Sequence, residues 1–278
     1  MNRLNRCQPL LGTYVEISLS GDCSDDELIA VSRSAYAEIE LVQRNMSFHD
    51  PKSELSQINR NAHLKPIELT HSMSHVLTQA LSLSELTQGD YDICVGAHLV
   101  KTGQLPSHNF TDSSGNWCDI ELNENVIFFQ QPLQLDLGGI AKGYAVDRAI
   151  SVIPAYVDAT INAGGDLRMS HWRDKKIHIR APNLLLNQIV PLAMTNEACA
   201  TSANYYTEAE GQTSKIIYPA NGKPTTQRYS ATVFADCTMI ADALTKVVFT
   251  HNEASELLHS FQAKAVIVEP NGNYYQLT

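Results

Sequence analysis

The sequence predicts an α+β fold, with mixed or antiparallel sheets and flanking helices. Two observations carry this. Strand-like stretches come in hairpin-like pairs joined by turn residues, and single helices interrupt them without the regular β-α alternation of a parallel sheet. The 278 residues contain no repeat and no low-complexity segment. No Pro/Gly-rich linker divides them, so residues 1–278 are read as a single domain with a substantial core.

In chain order, "TYVEISLSG" (Thr13 to Gly21) alternates polar and apolar and reads as a strand. The following "SDDELIAVSRSAYAEIELVQRNMS" is a helix capped by Ser24 or Asp25. "SELSQIN" starts a short helix, and "THSMSHVLTQALSLSELTQG" is another, capped near Thr70 and stopped by Gly89. A polar loop runs from Thr102, and "VIFFQQPLQLDL" is expected to form two strands around a turn. "YAVDRAISVIPA" is helical, "ATINAGGDLRMS" a strand with a Gly-rich loop, and "KKIHIRAP" a strand. "YSATVFAD" is a strand, "MIADALTKVVFTH" and "NEASELLHSFQ" are helices, and "AKAVIVEP" and "YYQLT" are closing strands.

Composition narrows the function classes. Net charge is −10, which disfavours a nucleic-acid partner, since such binding needs a basic face. The densest basic cluster, "RDKK" (Arg173 to Lys176), reads as a solvated turn. The 6 cysteines include no C-x-x-C pair, which argues against a zinc site or redox dithiol and for reduced thiols. No stretch is long and apolar enough for a transmembrane segment. As it stands the sequence reads as cytoplasmic; a periplasmic or membrane-anchored setting would require an export signal that was removed.

Chemistry-bearing residues gather in a few short stretches. In "LDLGGIAKGYAVDRAI" (Leu135 to Ile150), Gly138 and Gly139 permit a sharp turn before a helix. That helix start offers unpaired amides suited to an anion, and Lys142 adds a charge in the first turn. Asp136 offers a carboxylate to sugar hydroxyls, a base edge or a cation, and the alternative is a plain strand-to-helix turn with a solvent-facing lysine. In "INAGGDLRMS" a tight turn satisfied by Asn162 and Asp166 is the simpler reading. Asp242, in the otherwise apolar "MIADALTKVV", needs a partner: an ion pair with Lys246 four residues on, or a hard divalent cation. "MSFHDPKSELSQIN" sets Ser47, Phe48 and His49 beside a helix cap, "GDYDICVG" combines an aromatic, two carboxylates and a glycine, and the small, hydroxyl-rich "ATSANYY" suits a loop packed against a ligand. There is no G-x-S-x-G elbow for a Ser-His-Asp hydrolase.

The order and spacing of these stretches resemble the ApbE family, flavin transferases that use FAD to attach FMN covalently to a Ser or Thr of another protein. The blocks are "LLGTYVEI", "MSFHDPKSELSQIN", "YDICVG", "LDLGGIAKGYAVDRA", "INAGGDLR", "ATSANYY", "IIYPANGKP" and "ADAL", spanning nearly the whole chain. The resemblance implies an ApbE-like flavin transferase fold, FAD and magnesium as cofactors, release of AMP, and an acceptor protein as partner. It also implies that Leu11, Ser47, His49, Asp90, Tyr91 and Asp92 bind flavin. Asp136, Lys142, Asp166 and Ile216 join them, while Gly139 (through its carbonyl), Asp242 and Thr245 hold the metal. Lys142, Asp242 and Lys215 are the expected catalytic positions.

Several positions depart from the family pattern. Leu11 stands where Met is usual, and His49 where many members carry a stacking Tyr. "KIIYP" has Lys215 and Tyr218 in place of His and Asp, and "ATSANYY" has Ala203 and Asn204 in place of Gly and Asp. Lys246 replaces a threonine on the metal-binding helix, one turn after Asp242. A protonated lysine cannot ligate magnesium, so the sequence predicts metal dependence weakened, or the metal replaced by the ammonium. A second reading follows from these departures: FAD binding with altered catalysis, either slow hydrolysis to FMN and AMP or binding alone.

Overall fold

The computed structural model of the chain describes residues 1–111, 113, 115–180, 189–204, 214 and 216–277. Its frame is an eight-stranded sheet in which every neighbouring pair is antiparallel. Strands β1 (Asn2–Leu10) and β2 (Thr13–Gly21) form the first hairpin, and small strands β3 (Ile67–Glu68), β4 (Ile120–Asn123) and β5 (Val126–Phe129) make a separate sheet. The hairpin β6 (Val157–Ala163) and β7 (Asp166–Met169) follows, then a two-stranded pair, β8 (Lys176–Arg180) and β9 (Ile189–Ala193). β10 (Ala198–Ala203) returns to the large sheet, and β11 (Ile217–Tyr218) pairs with β12 (Lys223–Pro224). β13 (Ser230–Ala235), β14 (Lys264–Val268) and β15 (Tyr274–Leu277) complete the large sheet, whose order is β1-β2-β6-β7-β10-β13-β14-β15.

The sheet's register follows from its period-two pattern. Val15, Ile17 and Leu19 of β2 point into the core, opposite Ala163, Ile161 and Ala159 of β6. Helix α1 (Asp25–Met46) lies over this face, capped by Ser24, whose hydroxyl accepts from the Glu27 amide. Its Leu28, Ala35, Ile39 and Val42 are buried, and the Tyr36 hydroxyl donates to the Val15 carbonyl at 3.1 Å. Helices α2 (Glu54–Asn61) and α3 (His71–Leu86) start at Ser53 and Thr70 through the same side-chain cap, and a short α4 (Gly96–Lys101) follows. The core is completed by α5 (Ala141–Ser151), α6 (Thr238–Thr250) and α7 (Ala254–Ser260). Among the described residues, no helix is long and apolar enough to cross a membrane. All six cysteines are free.

Helices α5 and α6 touch backbone to backbone. A Cβ on Gly143 would lie 2.3 Å from the Thr238 carbonyl oxygen, so only glycine permits this approach. One turn along α5, Asp147 caps α6 by accepting from the Thr238 and Met239 amides at 2.9 and 2.8 Å. The same carboxylate receives Arg168 of β7 at 2.6 Å, and Arg168 also pairs with Glu197. Replacing Asp147 with alanine removes the cap and leaves the partly buried Arg168 guanidinium with Glu197 as its remaining carboxylate, which should cost about 1–3 kcal/mol. Thermal or urea unfolding measures it; a loss under ~0.5 kcal/mol, the usual surface range, would mean water replaces the carboxylate.

Two expectations differ from the structure, and one long strand had no expectation. The second strand expected in "VIFFQQPLQLDL" is absent: after β5 the chain runs extended without a ladder. Pro132 has no amide to donate, and the buried residues bond to separate places. Asn59 exchanges two bonds with Leu135, the Asp136 amide donates to Ile93, and Gln134 accepts from Gly96. The "ATSANYY" stretch begins as strand β10 and not as a loop, while Tyr205 and Tyr206 lie outside the described residues. β1, given no element in the sequence reading, pairs along its length with β2.

Candidate functional site

The site forms where α5, α6, the β6–β7 turn and β10 meet. Leu133, Leu135 and Leu137 are buried and carry the extended segment through the core to Asp136. The Asp136 carboxylate accepts the Gly138 amide at 3.2 Å and tightens the turn. Burial raises the pKa of its carboxyl; the Gly138 amide, His49 and Lys246 pull the other way. The amides at the start of α5 are not all unpaired, as the sequence suggested. Ala141 donates to the Leu137 carbonyl at 2.8 Å, and the Gly143 amide points at Asp242 Oδ2 at 3.4 Å.

Lys142, Asp166, Asp242 and Lys246 form one alternating cluster of charges. Lys142 Nζ donates to Asp166 Oδ2 at 2.6 Å and to Asp242 Oδ2 at 3.3 Å. Asp242 receives Lys246 on its other oxygen. The carboxylates are the hidden members, with side chains 2% and 1% exposed, while those of Lys142 and Lys246 are 28% and 23% exposed. The pair of acids is split by its surroundings. Burial, then the charge of Asp242, pushes Asp166 up to about 7, with Lys142 opposing. Burial also works against the Asp242 carboxylate, but Lys142 and Lys246 outweigh it and hold the carboxyl at about 2. Lys142 loses from burial and gains more from Asp166 and Asp242, so its ammonium is held charged.

The positions expected to hold magnesium are filled by a side chain. Lys246 Nζ lies 3.1 Å from Thr245 Oγ1, 3.1 Å from Ser202 Oγ and 3.2 Å from the Asp242 carbonyl oxygen, besides its pair with Asp242 Oδ1. Its stem crosses Gly139, where a Cβ would meet Lys246 Cε at 3.3 Å. Magnesium requires an octahedron of oxygens at ~2.0–2.1 Å, and an ammonium among those oxygens blocks and repels it. Among the described residues no group of three or more His, Cys, Asp or Glu side chains is arranged to hold a metal. The residues present do not fit magnesium.

The remaining expected residues take varied positions. Tyr91 is buried, and burial, then the charges of Asp242, Asp136 and Asp92, raise its hydroxyl's pKa. Asp92 uses both oxygens on backbone amides, accepting from Cys94 in its own loop at 2.8 Å and from Trp117, 25 residues on, at 3.1 Å. Asp90 pairs with His251 at 2.9 Å. Leu11 turns the first hairpin at φ 56° and donates its amide to Gln43. Ser47 ends α1, and its carbonyl accepts from Ser53; His49 is exposed two residues on. Ile216 is buried beside Ser214 and Thr225. Lys215 lies outside the described residues.

The Gly164–Gly165 turn fulfils half of the simpler reading. Asn162 accepts the Gly165 amide at 3.1 Å, but Asp166 leaves the turn for Lys142. Sequence reading passed over two features. Ser202 joins the cluster from β10 through Lys246 and through Thr245 at 2.7 Å. Beside His49, the rings of Phe48, His108 and Phe110 pack with centroids 5.4–5.8 Å apart. His108 and Phe110 lie in the stretch read as a polar loop, which carried no signal for the second.

Comparisons with known proteins bear on the family and the fold. An FAD:protein FMN transferase of Haemophilus influenzae is 26% identical over 266 residues, covering 84% of this chain and 77% of that protein. One of Vibrio cholerae is 28% identical over 250 residues, covering 78% and 73%. Among solved structures, the ApbE protein of Thermotoga maritima superposes with a TM-score of 0.82 at 22% identity, over 99% of this chain and 97% of that one. The flavin transferase ApbE of Vibrio cholerae gives 0.81 at 22% identity, over 99% and 96%. These likenesses show the fold. A model of the ApbE family matches residues 11–267, and the chain belongs to that family.

Proposed function

We propose that this protein is an FAD:protein FMN transferase: it moves FMN from FAD to a Ser or Thr hydroxyl of an acceptor protein and releases AMP. The observation that carries the reading is the charge cluster, with its two lysines on the accessible side and its two carboxylates behind them. The curated relatives are named for this activity.

In the reaction the acceptor hydroxyl oxygen attacks the FMN-side phosphorus of FAD. The bond from that phosphorus to the bridging oxygen breaks, and AMP leaves with the bridging oxygen. The hydroxyl proton passes to a base or to water. Negative charge grows on the pyrophosphate oxygens during the transfer, so fixed cations placed there lower the barrier. Lys142 supplies one such charge, held in place by Asp166 and Asp242 before substrate arrives, which avoids reorganisation during the step. Asp136, at the turn before α5, is the candidate for a polar contact to the flavin nucleotide, and Tyr91 for a wall of its pocket.

The test is to incubate the protein with FAD and a Thr-bearing acceptor and quantify nucleotides by chromatography. Transfer predicts AMP that appears only with acceptor present and without matching free FMN. AMP and free FMN at the same rate without acceptor would make the protein an FAD hydrolase, the second reading of the sequence.

A further inference from the structure

We propose that the Lys246 ammonium is the resident cation of this site, a tethered charge seated in an oxygen cage where a divalent ion would otherwise be needed. Four oxygens from three residues converge on Nζ: Asp242 Oδ1, the Asp242 carbonyl, Thr245 Oγ1 and Ser202 Oγ. An ammonium has three hydrogens to donate, so the cage presents more acceptors than the lysine can satisfy individually. A surface ion pair has no use for such a surround. Thr245 donates its own proton to the Asp242 carbonyl at 2.6 Å, so it accepts from the Ser202 hydroxyl at 2.7 Å and offers its other lone pair to Nζ. The cage is therefore built around a positive charge rather than around a neutral donor.

Charge balance points the same way. With both carboxylates ionised, Lys142 and Lys246 neutralise Asp166 and Asp242. Without Lys246 the cluster carries an excess negative charge and an empty oxygen cage, the condition that recruits a hard cation. The tether keeps the charge in place whatever the metal supply, and no chelator can remove it. For the transfer reaction, on whose assignment this consequence alone rests, it means a reaction that needs no divalent ion.

The experiment compares wild type with Lys246→Thr, which shortens the side chain to a hydroxyl and vacates the cage. Manganese binding is followed by the loss of the free Mn²⁺ electron paramagnetic resonance signal, with magnesium as competitor. Wild type should leave manganese free. The folded variant, checked by circular dichroism, should bind one manganese per chain at least about tenfold more tightly, release it to magnesium, and gain thermal stability from magnesium that wild type does not. Manganese binding by wild type, displaced by magnesium, would overturn the proposal. So would a folded variant that binds no better than wild type.

A second measurement covers a variant that fails to fold. Flavin fluorescence should give wild type the same FAD affinity in EDTA as in magnesium, and a tenfold gain with magnesium would overturn the proposal. Manganese results bear on the cage whether or not FMN transfer is observed, so failure of the transferase reading is separately visible.

Discussion

Lys142→Met should reduce FAD turnover by a factor on the order of 10²–10³, the usual cost of removing one preorganised charge-stabilising donor. Methionine preserves most of the stem's volume and removes only the ammonium. The variant should also be less stable, because Asp166 and Asp242 are then left buried beside each other with Lys246 alone to balance them. Breaking a buried pair from one side costs about 3–5 kcal/mol. Proton uptake by Asp166, already raised to about 7, limits that loss. AMP release and urea unfolding measured on the same preparation separate the two effects. Turnover within about threefold of wild type, well short of the expected range, would reduce Lys142 to a structural counter-ion.

Gly143→Ala is expected to be nearly as damaging without touching a charge. In an unconstrained helix the change would stabilise by about 0.5–1 kcal/mol, since glycine is the poorer helix former. Here the added Cβ would meet the Thr238 carbonyl oxygen at 2.3 Å, its carbon at 2.6 Å and the Met239 Cα at 2.8 Å, all backbone. No side chain can rotate away, so α5 and α6 must separate. Overpacking of this kind costs about 1–3 kcal/mol and sometimes more, which outweighs the propensity gain. The separation also pulls Lys142 from Asp242, so FAD affinity should fall together with the melting temperature. A variant as stable as wild type with unchanged affinity would show that the helix contact does not set the geometry of the cluster.

The elements legible in the sequence were those whose local signals agree. α1 has its Ser24 cap, its acidic first turn and a buried stripe at helical spacing. β2 has strict alternation on one buried face. β1 lies at the sheet edge with no residue fully buried, so its alternation carries little apolar contrast. β10, "ACATSA", lacks the bulky branched residues that mark a strand, and its small side chains lie beside α6. The segment after β5 has strand-like apolar spacing, but its partners are an asparagine side chain and separate loop groups, which no local pattern encodes.

The site divides along the same line. The Asp242–Lys246 pair was legible from its four-residue spacing on one helix face. The union of Lys142 with Asp166 and Asp242, 24 and 100 residues away, depends on tertiary packing and reached the sequence reading only through the family resemblance. Ser202 had no signal beyond lying in a hydroxyl-rich stretch. The replacement of threonine by Lys246 was visible, but its oxygen surround required β10 and α6 to be placed together.

Lysine charges are expected to carry FMN transfer without a divalent ion. The most direct test is covalent flavin on the acceptor, read by intact mass, after incubation of the protein with FAD and acceptor in excess EDTA. The acceptor should gain one FMN, with the loss of water, to the same extent in EDTA as in magnesium. Flavinylation absent in EDTA and restored by magnesium would contradict it.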